Sequence, residues 1–175
     1  TGKRHEILGK WSVGFDDEGR IQAADVEMAM RCGCSKDLSD AISDRAMFHL
    51  DNSYYLDQVR ITCQRMRTDT VSNTAFRGFG GPQGMMIGER MIEDVARAVG
   101  KDTLDVRKAN FYGGEGRNTT PYHMRVEDFV LPEMIEELEA SSNYRARRKA
   151  ITEFNKISPI IKRGLALTPV KFGIS

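Results

Sequence analysis

Residues 72–83, Ser-Asn-Thr-Ala-Phe-Arg-Gly-Phe-Gly-Gly-Pro-Gln, combine a cation, aromatic rings and a dense run of glycines. Glycine has no Cβ and adopts positive φ at little steric cost, so such a segment lets the backbone approach a ligand closely. Arg77 offers a positive charge, while Phe76 and Phe79 offer flat apolar faces. The pattern predicts a binding loop for a flat, polar ligand. It lacks the Gly-x4-Gly-Lys-Ser/Thr spacing of a phosphate-binding loop.

Arg45 is a second cation that could carry chemistry. It lies in the run from Ser39 to Leu50, whose apolar spacing predicts a helix with Ser39 as its N-cap. The helical pattern alone does not single out Arg45, because most arginines lie on protein surfaces.

For Phe79 the sequence leaves two interpretations. It is either a core side chain or a ring that stacks on a planar heterocycle, which would contribute about 0.5–1.5 kcal/mol to binding beyond the effect of the buried area.

The cysteines and histidines form no recognisable metal or nucleophile pattern. Cys32-Gly33-Cys34 is not a usual zinc spacing, and no second ligand pair accompanies it. We expect these two cysteines and Cys63 to be small buried residues of a protein in the reducing cytoplasm. The sequence therefore predicts no metal bound directly by side chains of this chain.

The charge balance limits the classes of partner. The 175 residues include 26 Lys and Arg and 25 Asp and Glu, giving a net charge of +1. A near-neutral chain argues against nucleic acid or an anionic membrane surface as partner. No apolar run approaches the roughly 18 residues of a membrane span. We predict a cytoplasmic protein that binds neither nucleic acid nor membrane.

The elements that must position the loop at 71–83 come on both sides of it. Residues 1–70 are predicted to contain a β-hairpin, a helix and a strand. Alternating apolar residues in His5–Phe15 and Ile21–Met30 flank a short glycine-containing turn, which is typical of a hairpin. Val59, Ile61 and Cys63 alternate with polar residues and predict the strand.

Residues 84–158 are predicted to be helical. Pro82 suits the first turn of a long helix with an apolar stripe that begins at Met85 and Met86, and Gly100 suits its end. Asp102 can cap a second helix. Further helices are predicted over 132–141 and 143–155, and residues 159–175 are predicted to return as a strand. This order indicates one α+β unit, 1–175, with helices packed on a mixed or antiparallel sheet.

Asn73–Gln83 is closely similar to the molybdenum-cofactor segment of the xanthine dehydrogenase/xanthine oxidase family. The resemblance covers essentially the whole chain, because other segments also look like family positions in order. These include Thr1-Gly-Lys-Arg-His5, Asp44-Arg-Ala-Met-Phe-His49, Asn143-Tyr144 and Lys171-Phe-Gly-Ile-Ser175. The resemblance implies a piece of the molybdopterin-binding large subunit, part of the molybdenum hydroxylase superfamily.

The resemblance also implies the reaction of the larger enzyme, which is a step of purine catabolism. Such an enzyme hydroxylates hypoxanthine or xanthine toward urate at a molybdopterin centre. Electrons then pass through two [2Fe–2S] clusters and FAD to NAD. Its partners would be the purine substrate, the rest of the xanthine dehydrogenase chain or subunits, and a second copy in a dimer.

Individual roles follow from the resemblance position by position. Phe79 corresponds to the phenylalanine that stacks on the purine, and the backbone N–H of Arg77 to the amide that hydrogen-bonds an oxo ligand of molybdenum. Phe76 and Gly78 fall beside it in the same cofactor-binding segment. Arg45 corresponds to the substrate arginine that bonds a purine carbonyl and has a catalytic role, since a guanidinium placed where negative charge grows lowers the barrier.

Other readings stay open. An aldehyde oxidase or another aromatic-heterocycle hydroxylase of the superfamily would share the loop, although Arg45 favours a purine substrate. A non-catalytic binding domain could keep the loop as scaffold. The family's catalytic glutamate belongs to a Gly-Glu-Pro-Pro-like motif that does not occur in this sequence. The isolated chain is therefore predicted to be inactive and to bind neither molybdopterin nor purine tightly.

Overall fold

A three-stranded mixed sheet with helices packed on it forms the centre of the fold, as seen in a computed structural model that describes residues 2–114 and 116–173. The strands are β1 (Ile7–Phe15), β2 (Ile21–Gly33) and β3 (Gln58–Arg67). The helices are α1 (Ser39–Phe48), α2 (Gly81–Val99), α3 (Thr103–Asn110), α4 (Leu131–Ser141) and α5 (Tyr144–Ile157). The predicted α+β class is confirmed.

The hairpin of β1 and β2 is antiparallel, as predicted. Its turn is held by Asp16, whose Oδ1 accepts from the backbone N–H of Glu18 at 3.0 Å and of Arg20 at 2.9 Å. Gly19 completes the turn with a φ of 80°. Because β2 is the central strand, its alternate side chains Val26, Met28 and Met30 are fully buried.

β3 lies parallel to β2, and α1 forms the crossover that a parallel pair requires. The prediction that Ser39 caps α1 is wrong. Ser39 is the first residue of the helix, and the preceding Leu38 occupies the cap position without a side-chain hydrogen bond. The Ser39 hydroxyl instead pairs with the His5 ring at 2.8 Å.

A row of glycines allows α2 to pack closely on α1. Glycines four residues apart face backbone carbonyls of α1 and its following turn, which are also four residues apart. The facing pairs are Gly80 with Ile42, Gly84 with Ala46, and Gly88 with Leu50. A Cβ at Gly84 would overlap the Ala46 carbonyl oxygen and lie 2.9 Å from its carbon. Backbone contact therefore fixes the position of α2 along the axis of α1.

The first turn and the end of α2 agree with the sequence, and so does most of its apolar stripe. Pro82 lies in the first turn and Gly100 ends the helix in the left-handed conformation. The fully buried members of the predicted stripe are Ile92, Val95 and Ala96. Met86, also placed on the stripe, is 73% exposed, because the approach of α1 decides which side of the helix is covered and that side also includes the glycines.

A buried ion pair joins α2 to α3. The guanidinium of Arg107 is 1% exposed and lies 2.9 Å from the Glu89 carboxylate. Tyr54 donates to the same carboxylate, as does Asn52 at 2.9 Å. Removing one member of such a pair would leave an uncompensated buried charge.

Asp102 caps α3, as predicted, by accepting from the backbone N–H of Leu104 at 2.9 Å.

The predicted strand over 159–175 is not found in its described part, residues 159–173. The chain there is extended, and Leu167 and Pro169 alternate with exposed neighbours, which explains the prediction. Side chains rather than a neighbouring strand bind its backbone, however. Arg148 donates to the Leu165 carbonyl at 3.2 Å, and Asn155 binds both polar backbone groups of Arg163. Residues 174 and 175 lie outside the described residues.

None of the helices over the described residues has the length and apolar character to cross a membrane.

Candidate functional site

The glycine-rich loop ends in three consecutive residues of positive φ. Gly78 has a φ of 92°, Phe79 of 49° and Gly80 of 95°. The other described non-glycine residues with positive φ are Asp, Asn or His, side chains that tolerate this conformation better than a bulky apolar one does. A phenylalanine held in this region costs of the order of 1 kcal/mol. The backbone conformation that holds Phe79 in the loop therefore lowers the stability of the folded protein.

The N-terminal segment supports the other half of the loop. Arg4 donates from Nη2 to the Arg77 carbonyl at 2.7 Å, and its Cζ lies 4.4 Å from the centroid of the Phe76 ring. Asn73 donates to the Arg4 carbonyl at 2.9 Å, and the Thr74 N–H to the Lys3 carbonyl at 3.0 Å. These contacts leave the Arg77 side chain exposed and hold its backbone in place.

Backbone donors at the tip of the loop are available to a ligand. Within the described part of the chain, no protein acceptor takes the N–H of Arg77 or of Gly78. A Cβ at Gly78 would come 2.5 Å from the Pro82 side chain, so this turn requires glycine. Exposed N–H groups on a glycine turn can hold the oxygen atoms of an anionic or oxo-bearing group. The loop thus fits a cofactor that presents such oxygens.

Phe79 lies against α1 on the turn that carries Arg45. Its ring packs on the small cluster of Met30, Cys32, Ile42 and Ala46. Ile42 and Ala46 belong to α1, so the Phe79 ring packs on the helix that also carries Arg45. Phe79 is half-buried, which reconciles the two readings of it because one part packs in the core and the rest is open.

The Arg45 guanidinium is fixed by a segment far away in sequence. Its Nη2 donates to the Gly173 carbonyl at 2.7 Å, and its Cζ lies 5.0 Å from the centroid of the Phe172 ring. Its Nε is buried and has no hydrogen-bond partner within the described residues. A buried N–H without a partner is costly, and a ligand acceptor would satisfy it.

His5 stands between the loop and the start of α1. It is 2% exposed, its ring pairs with Ser39, and its carbonyl accepts from the Gln83 amide at 3.2 Å. Burial lowers the pKa of His5, and the charge of Asp37 opposes this in part. A neutral imidazole here is a structural link between the N-terminal segment and α2.

The three cysteines are all free, and Cys34 lies 3.5 Å from the Ser72 hydroxyl at the start of the loop. Cys32 is buried, as expected, whereas Cys63 is only half-buried and Cys34 is exposed, which corrects that expectation. Cys34 is exposed because it follows the last residue of β2, where the chain leaves the sheet. Over residues 2–114 and 116–173 no three His, Cys, Asp or Glu side chains come together as metal ligands.

The structure divides the predicted site residues into two groups. Phe79 packs against α1, the helix that carries Arg45, while Arg77, Phe76 and Gly78 lie with Arg4 at the exposed tip. Sequence reasoning assigned no role to Arg4 or Gly173, because they act through contacts across 73 and 128 residues, respectively. No local pattern reports such contacts.

Comparison with known proteins identifies the family. Residues 1–111 match the model of the molybdopterin cofactor-binding domain. The whole chain is 47% identical to xanthine dehydrogenase/oxidase of Gallus gallus and 44% identical to xanthine dehydrogenase of Drosophila subobscura. It spans 13% of the length of each of these relatives.

Solved structures agree with the fold. Aldehyde oxidoreductase from Desulfovibrio gigas superposes with a TM-score of 0.77 at 27% identity, over 91% of this chain and 17% of that one. The enzyme from Desulfovibrio desulfuricans gives 0.77 at 26% identity, over 87% of this chain and 16% of that one. With the sequence match and the glycine loop, this places the chain in the molybdopterin cofactor-binding domain family, and the predicted resemblance to xanthine dehydrogenases is confirmed.

Proposed function

We propose that this domain forms one wall of the active site of a xanthine dehydrogenase that hydroxylates hypoxanthine and xanthine toward urate. The observation that carries the proposal is the Arg45 guanidinium, which is held by Gly173 and Phe172 and keeps a buried Nε without a partner among the described residues. Phe79 packs against the same helix. The 44–47% identity to xanthine dehydrogenases over the full chain supports it.

Phe79 and Arg45 have different proposed roles, namely substrate binding for Phe79 and both substrate binding and charge stabilisation for Arg45. Phe79 stacks on the purine ring, and Arg45 binds a purine carbonyl oxygen and stabilises the negative charge that develops during hydroxylation. Such stabilisation is strong in a site that excludes water, because a fixed donor needs no reorganisation when the charge appears.

The cofactor is proposed to lie at the tip of the loop. The backbone N–H of Arg77 holds it, with Gly78 and Phe76 alongside, and Arg4 fixes the loop from behind. When bound, the molybdenum–molybdopterin group supplies the redox centre of the hydroxylation. The [2Fe–2S] clusters, FAD and NAD site belong to other parts of the proposed enzyme, which acts as a cytoplasmic dimer in purine catabolism.

The test is the replacement of Arg45 in the full-length enzyme. Arg45→Ala should lower kcat/KM for xanthine by about 10²-fold or more, the typical effect of losing one such donor. Arg45→Lys is the matched control that keeps the positive charge. It should recover only part of the lost kcat/KM for xanthine, because lysine lacks the planar, forked guanidinium group. Undiminished purine turnover by Arg45→Ala would overturn the assignment.

A second candidate, an aldehyde oxidase, is favoured by the aldehyde oxidoreductases among the structural neighbours. Substrate turnover by the unchanged full-length enzyme separates the two. An aromatic aldehyde has no carbonyl oxygen on its ring for Arg45, so an aldehyde oxidase would show high aldehyde turnover and little purine turnover.

A further inference from the structure

An extended strap, residues 165–173, crosses the C-terminal end of α1. Asn52, just beyond the helix, binds both sides of it: Nδ2 donates to the Pro169 carbonyl at 2.9 Å, and Oδ1 accepts from the Lys171 N–H at 3.0 Å. Asn52 is 1% exposed and has a φ of 44°, a conformation that asparagine tolerates. One buried amide thus bonds the strap as a neighbouring strand would.

A buried charge pair adds a second attachment. The Lys171 Nζ lies 2.9 Å from Oδ2 of Asp51, whose side chain is 2% exposed. Tyr112 donates to the same carboxylate oxygen at 2.6 Å, and Lys171 also donates to the Tyr122 hydroxyl at 3.1 Å. Burial raises the pKa of Asp51 while the Lys171 ammonium opposes that rise. The pair joins the strap to the turn after α1.

The next two residues of the strap reach Arg45. The Phe172 ring lies under the guanidinium, 5.0 Å from the His49 ring centroid, and against the bare backbone of Gly81. A Cβ at Gly81 would be 2.7 Å from the Phe172 ring. The Gly173 carbonyl then accepts from Nη2 of Arg45. Two sides of the guanidinium are therefore set by the strap.

We propose that Asn52 and Lys171 are positioning residues that fix the orientation of the Arg45 guanidinium through the strap, and so determine selectivity for heterocycles that carry a carbonyl oxygen on the ring. The inference rests on the proposed role of Arg45. A free arginine side chain has about 2 kcal/mol of rotamer entropy to lose on binding. The strap removes this freedom before the substrate arrives, which is the general basis of preorganisation.

The experiment compares Lys171→Ala with Lys162→Ala in the full-length holoenzyme. Lys162 lies just before the strap and donates to the carbonyls of Asn155 and Ser158 at 2.6 Å, so its loss removes the same charge without reaching α1. For Lys171→Ala we expect kcat/KM for xanthine to fall by about 10–100-fold, the scale of a small misplacement. Turnover of an aromatic aldehyde should stay within about twofold of wild type, since the aldehyde makes no use of Arg45.

Two further variants make the result decisive. Lys171→Arg keeps a cation for Asp51 and should restore most of the xanthine turnover. Phe172→Leu removes the ring beside Arg45 at a 44% exposed position, and should reproduce the selective loss even where Lys171→Ala does not fold. Equal loss on both substrates, or no loss on xanthine from either variant, would overturn the proposal.

A double-variant cycle separates this inference from the proposed function. If Lys171 acts through Arg45, Lys171→Ala should cause no additional loss in an Arg45→Ala background. A fully additive loss refutes the positioning role while leaving Arg45 as a substrate residue. If Arg45→Ala alone does not affect xanthine turnover, it is the proposed function that fails.

Discussion

Phe79 shows the conflict between stability and function within a single residue. Its backbone lies in a conformation that disfavours a bulky side chain, yet its ring packs on the cluster beside α1 and remains partly open. Strain of this kind persists where the surrounding structure determines it, here by Gly78 and Gly80 on either side. The residue types predicted a close-approach loop, whereas the strain and the packing became visible only in three dimensions.

Replacement of that ring should weaken substrate binding selectively. In the full-length enzyme, Phe79→Leu keeps the apolar contact with the cluster but removes the flat face. The loss of about 0.5–1.5 kcal/mol of stacking should raise KM for xanthine about 2- to 12-fold with a smaller change in kcat. Steady-state kinetics measure this. Phe48→Leu, at a 50% exposed position of α1, is the control and should leave KM unchanged.

The helices α1 and α2 show what a periodic pattern can and cannot predict. The ends of α2 were predictable, because Pro82 and Gly100 have strong positional preferences. Most of the apolar face was also predictable, since Ile92, Val95 and Ala96 of the stripe are buried. The contact of the glycines with α1 was not, because a glycine contributes nothing to an apolar stripe. The strap was predicted as a strand for a similar reason. Alternation reports an extended chain, and the side chains of Asn52 and Arg148 that bind it are distant in sequence.

A methyl group at the middle glycine should force the two helices apart. Helix propensity alone would make Gly84→Ala stabilising by about 1 kcal/mol. Overpacking against the Ala46 carbonyl should outweigh this and lower the free energy of unfolding by about 1–3 kcal/mol. Denaturant unfolding followed by circular dichroism measures the change.

The matched control for that variant is Gly164→Ala, where an added Cβ meets nothing within 4 Å. Its unfolding free energy should stay within about 0.5 kcal/mol of wild type. A Gly84→Ala variant as stable as Gly164→Ala would show that the helices are not in backbone contact.

At the scale of the molecule, two distant segments converge on one loop. Residues 2–5 hold its exposed tip through Arg4, and the strap holds Arg45 behind it. The fold class and most elements followed from local patterns, and family resemblance pointed to Arg45. The convergence could not be predicted from patterns, because it depends on contacts between residues 73 and 128 positions apart.

The isolated 175-residue chain should be inactive even when folded. It offers a loop, a ring and a guanidinium, but its sequence holds no Gly-Glu-Pro-Pro-like motif to supply the family's base. Incubation with xanthine should give no urate by absorbance, and molybdopterin should not be retained through gel filtration. The full-length enzyme is the positive control. Urate formation or tight cofactor retention by the isolated chain would contradict the shared-site proposal.

The glycine row between α1 and α2 has a mechanical consequence. Each bare glycine fits over one carbonyl, so the helices can slide past each other only by moving every glycine to the next carbonyl. That step is four residues, or about 6 Å along the axis. The position of Arg45 on α1 relative to Phe79, which lies just before α2, can therefore change only in such steps and not gradually. The glycine row thus holds the two residues in a single relative position.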